Sequence, residues 1–298
     1  MYGKVLVPLN SPRLADIVLP YAEVMAGALN SRVTLLYVAK TREKHQQKGQ
    51  DFCLGKVAGL VRSHVRENYP EKEPANIRVK SVDRHGGVAE QISSYIKKNK
   101  ISLAIMSGHG HTGIMRRPMV STVRKVFHTT GVPLLLVRNK PPVEAGFPSL
   151  LNRILLPLDG LKGREIALPF ARELARRLPA EEVILLQVVP PEQRVHTLGG
   201  LDYVRFTEEQ IEVMKDIVRE YLGNISRRLT ATKATIRCEV RVGDPAMEIN
   251  RCAEETDSRV IVLATHRHAW LRQWVWGSVP QSILQTTTKP VLLITMPD

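Results

Sequence analysis

The sequence lacks the parts from which several common chemistries are built. Its three cysteines, Cys53, Cys238 and Cys252, are odd in number and never spaced Cys-x-x-Cys. That excludes a disulfide framework or a zinc knuckle and predicts reduced, structural thiols. Aromatic residues make up 5% of the chain and do not interleave with basic ones, so the stacking ladder of a single-strand nucleic-acid binder is missing. No window approaches the run of about 18 apolar residues that a membrane span requires. The Gly-x-x-x-x-Gly-Lys-Ser/Thr loop of motors and kinases is absent, as is the Gly-x-Ser-x-Gly elbow of a serine hydrolase. The opening "MYGKVLVPLNSP" enters a strand-like run at once, without the charged region, apolar core and cleavage site of a signal peptide. The expected location is the cytoplasm.

Positive charge is what the chain has in excess, +14 over 298 residues. Residues 1–150 carry 23 Lys and Arg against 10 Asp and Glu, whereas residues 151–298 carry 20 against 19. The excess therefore belongs to the first half. It reads either as solubility, from lysines in polar loops and helix ends, or as a surface for an acidic protein or another polyanionic partner.

The length suggests two domains, and the chain repeats itself. "VLVPLN" from Val5 returns as "ILLPLD" from Ile154, and "LPYA" from Leu19 as "LPFA" from Leu168, both at an offset of 149. "GGVAEQI" from Gly86 returns as "GDPAMEI" from Gly243, and "VPLLLV" from Val132 as "KPVLLI" from Lys289, at an offset of 157. About eight extra residues thus enter the second copy, and "PPEQRVHTLGGLDYVRF", Pro190 to Phe206, is expected to hold them as a surface loop. "NKPPVEAGFPSL", Asn139 to Leu150, has linker composition. Two domains are expected, at 1–140 and 150–298.

Each copy alternates short apolar runs with longer helical patterns. Strands are predicted near 3–9, 32–38, 76–83, 102–107 and 132–138, then near 152–158, 182–189, 233–242, 259–265 and 290–295. Runs such as "VTLLYV" and "VIVLAT" are apolar on both faces, as parallel strands covered by helices on both sides must be. If the strand order is 3-2-1-4-5, ligands bind beyond the carboxyl ends of the first and fourth strands. The stretch "MSGHGHTGIMRRPMVSTV", Met106 to Val123, follows the fourth strand of the first copy. Its glycines lead into a helix, where backbone N–H groups can meet an anion, although ordinary turns use glycine as well.

At these residues the chain resembles the universal stress protein family in tandem form. The family pattern is a first strand ending Pro-x-Asp, a Gly-x-Pro-Ala-x-x-Ile turn, and a Gly-x-x-Gly, nine residues, Gly-Ser/Thr phosphate loop, then Pro-Val-Leu-Leu-Val. The resemblance implies two Rossmann-like/flavodoxin-like α/β domains. Each would be a five-stranded parallel sheet of order 3-2-1-4-5 with helices on both faces, and the two would pair through their last strands as an intramolecular pseudo-dimer. It also leaves room for a homodimer. It implies a stress-response binding or regulatory protein rather than an enzyme, with at most weak ATP hydrolysis. The ligand implied is ATP, with Mg2+ only alongside it.

Carried over residue by residue, neither copy is complete. In the first, Ser107 replaces the first loop glycine, Gly110 keeps the second, Val120–Ser121 stands where Gly-Ser belongs, and Asn10 replaces the Asp. In the second, Ala264 and Arg267 replace the glycines, while Asp159, Gly277 and Ser278 are intact. The resemblance makes Asp159 and Asn10 the base-facing positions. It assigns Gly110, Ser121, Arg267, Gly277 and Ser278 to the phosphate loops, with Gly243 in the adjoining turn. Val120 is β-branched and unsuited to a glycine's backbone, whereas Arg267 either fills the phosphate pocket or pairs with a phosphate. The pairs His109/His111 and His266/His268 supply too few ligands for a zinc site. Trp270, Trp274 and Trp276 read as packing or contact residues.

Overall fold

The computed structural model describes residues 1–39, 53–108, 121–141, 149–197, 200–229, 232–266 and 279–296. The first repeat runs β1 (Lys4–Leu9), α1 (Pro12–Gly27), β2 (Arg32–Ala39), α2 (Leu54–Asn68), β3 (Val79–His85), α3 (Val88–Asn99), β4 (Leu103–Ser107), α4 (Ser121–Thr130) and β5 (Leu134–Val137). The second runs β6 (Arg153–Leu158), a 3-10 turn (Lys162–Ala167), α5 (Leu168–Arg177) and β7 (Glu182–Val189), then β8 (Glu192–Thr197), β9 (Gly200–Arg205), α6 (Glu208–Arg227) and β10 (Thr235–Val242). It closes with α7 (Pro245–Glu255), β11 (Val260–His266), α8 (Val279–Thr286) and β12 (Val291–Met296).

Alternation along the strands sends successive side chains to opposite faces. Val5, Val7 and Leu9 of β1 join a core with α1, α2, α5 and α6, while Leu6 joins one with α3, α4, α7 and α8. Each repeat has the strand order 3-2-1-4-5, and the two merge into one ten-stranded sheet, β10-β7-β6-β11-β12-β5-β4-β1-β2-β3. Neighbours within a repeat are parallel, but β5 and β12 pair antiparallel. Their register sets Leu135 opposite Leu292, which are the same position at the offset of 157. A pseudo-twofold axis therefore passes between these two leucines. Both cores continue across it, and the Tyr2 hydroxyl donates to the Phe170 carbonyl of the other repeat at 2.9 Å.

Two local expectations are corrected. Pro190–Phe206 is not an open loop: β8 and β9 pair antiparallel from Glu192↔Arg205 to Thr197↔Gly200, and the Phe206 N–H closes the hairpin on the Pro191 carbonyl at 3.0 Å. An inserted segment of this length meets its own backbone hydrogen-bond demand by folding on itself. The cysteines are unpaired, but only Cys252 is buried, while Cys53 and Cys238 are exposed.

The α1–α2 contact is tight. A Cβ added at Gly27 would lie inside the van der Waals shell of the Tyr69 ring. Gly27→Ala should overpack this contact and cost about 1–3 kcal/mol, read as a lower urea midpoint. Beside it, buried Glu23 on α1 has its Oε1 3.0 Å from His64 Nδ1 on α2. Its Oε2 has no partner among the described residues. Burial, only partly offset by the His64 hydrogen bond and charge, pushes its carboxyl from 4.5 up to about 7. A folded-state value above the unfolded one means that the folded chain holds more protons between the two, so this stabilisation is full below about 4.5 and is lost as pH rises through 7. The melting temperature of Glu23→Gln relative to the native chain should therefore climb between pH 5 and pH 8. A pH-independent difference would contradict this assignment.

Candidate functional site

In each repeat the first and fourth strands lie side by side and parallel, Val5 opposite Leu103 and Ile154 opposite Val260. The chain leaves these two strands toward opposite sides of the sheet, which opens a fork at their carboxyl ends. Asn10 follows β1, Ser107 ends β4 and Ser121 opens α4. Asp159 follows β6, His266 ends β11 and α8 begins at Val279, directly after Gly277–Ser278. Gly110, Arg267, Gly277 and Ser278 themselves lie outside the described residues, as do Val120, His109, His111, His268 and the three tryptophans. Because β5 and β12 are antiparallel, the two forks open at opposite edges of the sheet.

The second fork has a polar floor. Gly160 takes φ +78°, a left-handed turn that glycine adopts without penalty. This turn leaves Asp159 exposed, its Oδ1 accepting the Leu161 N–H at 3.1 Å. Gln187 of β7 sits opposite Leu158, and its amide nitrogen lies 3.1 Å from where a Cβ on Gly160 would be. The Gln187 Oε1 is buried with no hydrogen-bond partner among the described residues. Leaving such an acceptor unmet costs about 1–3 kcal/mol. Farther out, the Tyr221 hydroxyl donates to Glu165 Oε1 at 3.2 Å, and Glu165 also pairs with Arg228. Burial, then the Glu165 charge, raises the Tyr221 phenol well above its usual range.

Gly243 and its counterpart Gly86 have backbone reasons for being glycine. They take φ +151° and +120°, and their N–H groups bond the carbonyls that end the neighbouring strands, Val189 at 3.1 Å and Ala39 at 2.9 Å. Asp244 then caps α7, its Oδ1 accepting the Met247 N–H at 2.9 Å. Gly243 follows β10, two strands from β6, on the order of 10 Å from Asp159 at ordinary strand spacing.

At the first fork, Ser107 pairs in register with Val137, which brings Arg138 beside Gly108. Sequence reasoning missed Arg138 and Gln187. The available signals were a basic residue directly after the last strand, where the other repeat has Thr295, and one amide inside the apolar run "VILLQVV". Among the described residues no group of three or more His, Cys, Asp or Glu side chains is placed to hold a metal. No described helix is long and apolar enough to cross a membrane.

Comparison with known proteins agrees with this architecture. The chain is 26% identical over 155 residues to Universal stress protein MJ0577 of Methanocaldococcus jannaschii, spanning 49% of this chain and 95% of that protein. It is 27% identical over 147 residues to Universal stress protein YxiE of Bacillus subtilis, spanning 49% and 99%. Over the whole chain its fold is similar to a universal stress protein from Archaeoglobus fulgidus, with TM-score 0.67 and 16% identity, covering 100% of this chain and 98% of that one. The model of the universal stress protein family matches twice, at residues 1–138 and 151–295. The chain belongs to the universal stress protein family, with two such units in tandem.

Proposed function

We propose that this chain is a stress-response regulatory protein of two domains, 1–140 and 150–298, whose second domain binds an adenine nucleotide without turning it over. One observation carries this reading: Gly160, which follows the exposed Asp159, lies against the Gln187 amide, whose buried Oε1 has no hydrogen-bond partner among the described residues. The Asp159 carboxylate and this oxygen are both acceptors, and the exocyclic amino group of adenine is a donor, so the residues present fit the base. Asp159 and Gln187 would hold it. Arg267, Gly277 and Ser278 would face the phosphates, as the resemblance implies, with Mg2+ accompanying the triphosphate. Bound ATP would supply a ligand whose occupancy reports nucleotide level. The residues gathered at the fork are suited to recognition, and hydrolysis would further require a base positioned on an attacking water.

Titration calorimetry with ATP tests the reading. One site is expected, weakened about ten-fold or more by Asp159→Ala and unaffected by Asn10→Ala. Gln187→Leu should also weaken it while leaving the unliganded protein as stable as before or more so, because it removes an unmet acceptor. Two equal sites, no heat at millimolar ATP, or saturable hydrolysis lost in Asp159→Ala would each overturn it.

A second reading, docking of an acidic polypeptide on the basic first domain, has its own support. A cavity of about 580 Å³ between α3 and α4 is lined by Lys97, Lys98 and Lys125 with Ser93 and Thr129. At the offset of 157 the second repeat has Glu254, Glu255 and Ser282 in place of the lysines, and there Asn250 Nδ2 donates across to the Thr286 hydroxyl at 2.6 Å. Polyglutamate should bind the native chain at low salt and release at 0.5 M, about the range over which exposed charges become screened. A Lys97→Glu, Lys98→Glu variant should lose that binding and keep its response to ATP. Retained binding in the variant would remove this reading.

A further inference from the structure

A cavity of about 200 Å³ lies at the seam, between the end of β5 and the residues that lead into β11 and β12. Both repeats and the linker wall it: Tyr21 comes from α1, Arg259 and Lys289 from the second repeat, and Pro141 and Leu150 from the linker. Val137, the wall residue that ends β5, belongs to the core shared with α1, whereas α4 packs on the other core. The cavity is therefore on the face of the sheet away from the helix that opens at the first fork. Tyr21 is 3% exposed, and its hydroxyl has no hydrogen-bond partner among the described residues. Burial raises this phenol above its usual range, against the opposing pull of the Arg259 charge, so the hydroxyl stays a donor. Among the described residues the charged side chains lining the cavity are all cations, Lys140, Arg259 and Lys289. The acids that balance them stand outside the lining: Asp16 lies 2.7 Å from Lys140, Asp257 2.8 Å from Arg259 and 3.3 Å from Lys289, and Glu254 3.4 Å from Lys289. Cations facing inward with their acids behind them suit one negative charge, not the several of a polyphosphate.

The equivalent place on the other side of the pseudo-twofold axis has none of these three side chains. Phe170 stands for Tyr21 at the offset of 149, and Ser102 and Val132 stand for Arg259 and Lys289 at 157. There the repeats are bridged by the Tyr2 hydroxyl on the Phe170 carbonyl and the Thr295 hydroxyl on the Gly131 carbonyl. Holding the seam together thus requires neither the buried hydroxyl nor the two cations. The cavity is also smaller than the roughly 300–1,000 Å³ of sites that enclose drug-sized ligands, which excludes a nucleotide. We propose that it is a binding site for a small monocarboxylate with an apolar body, the carboxylate held by Lys289, Arg259 and the Tyr21 hydroxyl and the body lying against Leu150 and Pro290. Because these residues come from both repeats and the linker, a bound molecule would tie the three together at the seam. The assignment does not depend on a nucleotide at either fork.

Titration calorimetry with sodium benzoate and sodium hexanoate, and with benzamide as the uncharged counterpart, tests it. The chains compared are the native one, Tyr21→Phe, Lys289→Gln and, as the loss of one exposed charge elsewhere, Lys56→Gln. Benzoate or hexanoate should saturate the native chain and raise its melting temperature, whereas benzamide at the same concentrations should do neither. Tyr21→Phe should weaken the carboxylate about ten-fold, the effect of removing one hydrogen bond to a charged group. Unliganded, it should melt no lower than the native chain, because the hydroxyl it removes has no partner among the described residues. Lys289→Gln should weaken binding by at least as much, and Lys56→Gln by about two-fold or less. Excess ATP should leave benzoate bound. No saturable binding of either carboxylate, benzamide binding as tightly as benzoate, or an affinity unchanged in Tyr21→Phe would each overturn the proposal. Displacement of benzoate by ATP would move the site to a fork and overturn it too. Should Lys289→Gln melt too low to titrate, having also lost Glu254 and Asp257, Tyr21→Phe alone decides.

Discussion

The antiparallel seam of β5 and β12 is the constraint from which the rest of this molecule follows. Three leucines, Leu134–Leu136, meet Val291–Leu293, and the seam joins two parallel sheets whose outer strands would otherwise expose unpaired backbone groups. Pairing each position near the axis with its own repeat makes the two helix layers continuous, so both hydrophobic cores are shared. Neither repeat owns a complete core. The same seam turns the forks to opposite edges of the sheet, out of reach of one another.

That separation accounts for how the copies have diverged. A fork that cannot borrow residues from its twin must carry its whole chemistry locally, and each can change without disturbing the other. The second fork has a carboxylate and an amide oxygen with no partner among the described residues, the first an amide and a guanidinium that makes a long hydrogen bond to the Gln285 carbonyl. Both groups sit near strand ends, beside glycines whose missing side chains leave them room. Among the described residues neither makes a strong internal contact that would explain its burial, and local departures of this kind are expected where a stable scaffold holds a site.

Comparing the repeats shows how context overrides sequence likeness. "LPYA" and "LPFA" are near-identical, yet Pro20 lies inside α1 while Pro169 is in the first turn of α5. In the first repeat Ser11 caps the helix by accepting the Leu14 N–H, with Pro12 following it, so the helix starts early and absorbs the later proline. In the second, the Gly160 turn and a 3-10 run delay it to Leu168, and Pro169 falls where its missing N–H does no harm. Gly243 gives the complementary lesson. A glycine matched to a binding-loop pattern is accounted for by the turn into a helix, and sequence alone does not separate the two demands.

The sequence by itself determined the repeat, the parallel α/β class and the positions of the forks, because strand and helix periodicities and turn residues are local signals. The matching of Leu135 with Leu292, and with it the single sheet, was implicit in the offset of 157 but required the antiparallel seam to become visible. What only the tertiary structure decided were the facts that depend on neighbours distant in the chain. Gln187 is an ordinary amide until β7 sets it under Gly160, 27 residues earlier in sequence. Arg138 is one basic residue among many until β4 and β5 pair and lay it across Gly108. Whether a polar group is satisfied is a property of the surroundings that folding assembles, and no local pattern records it.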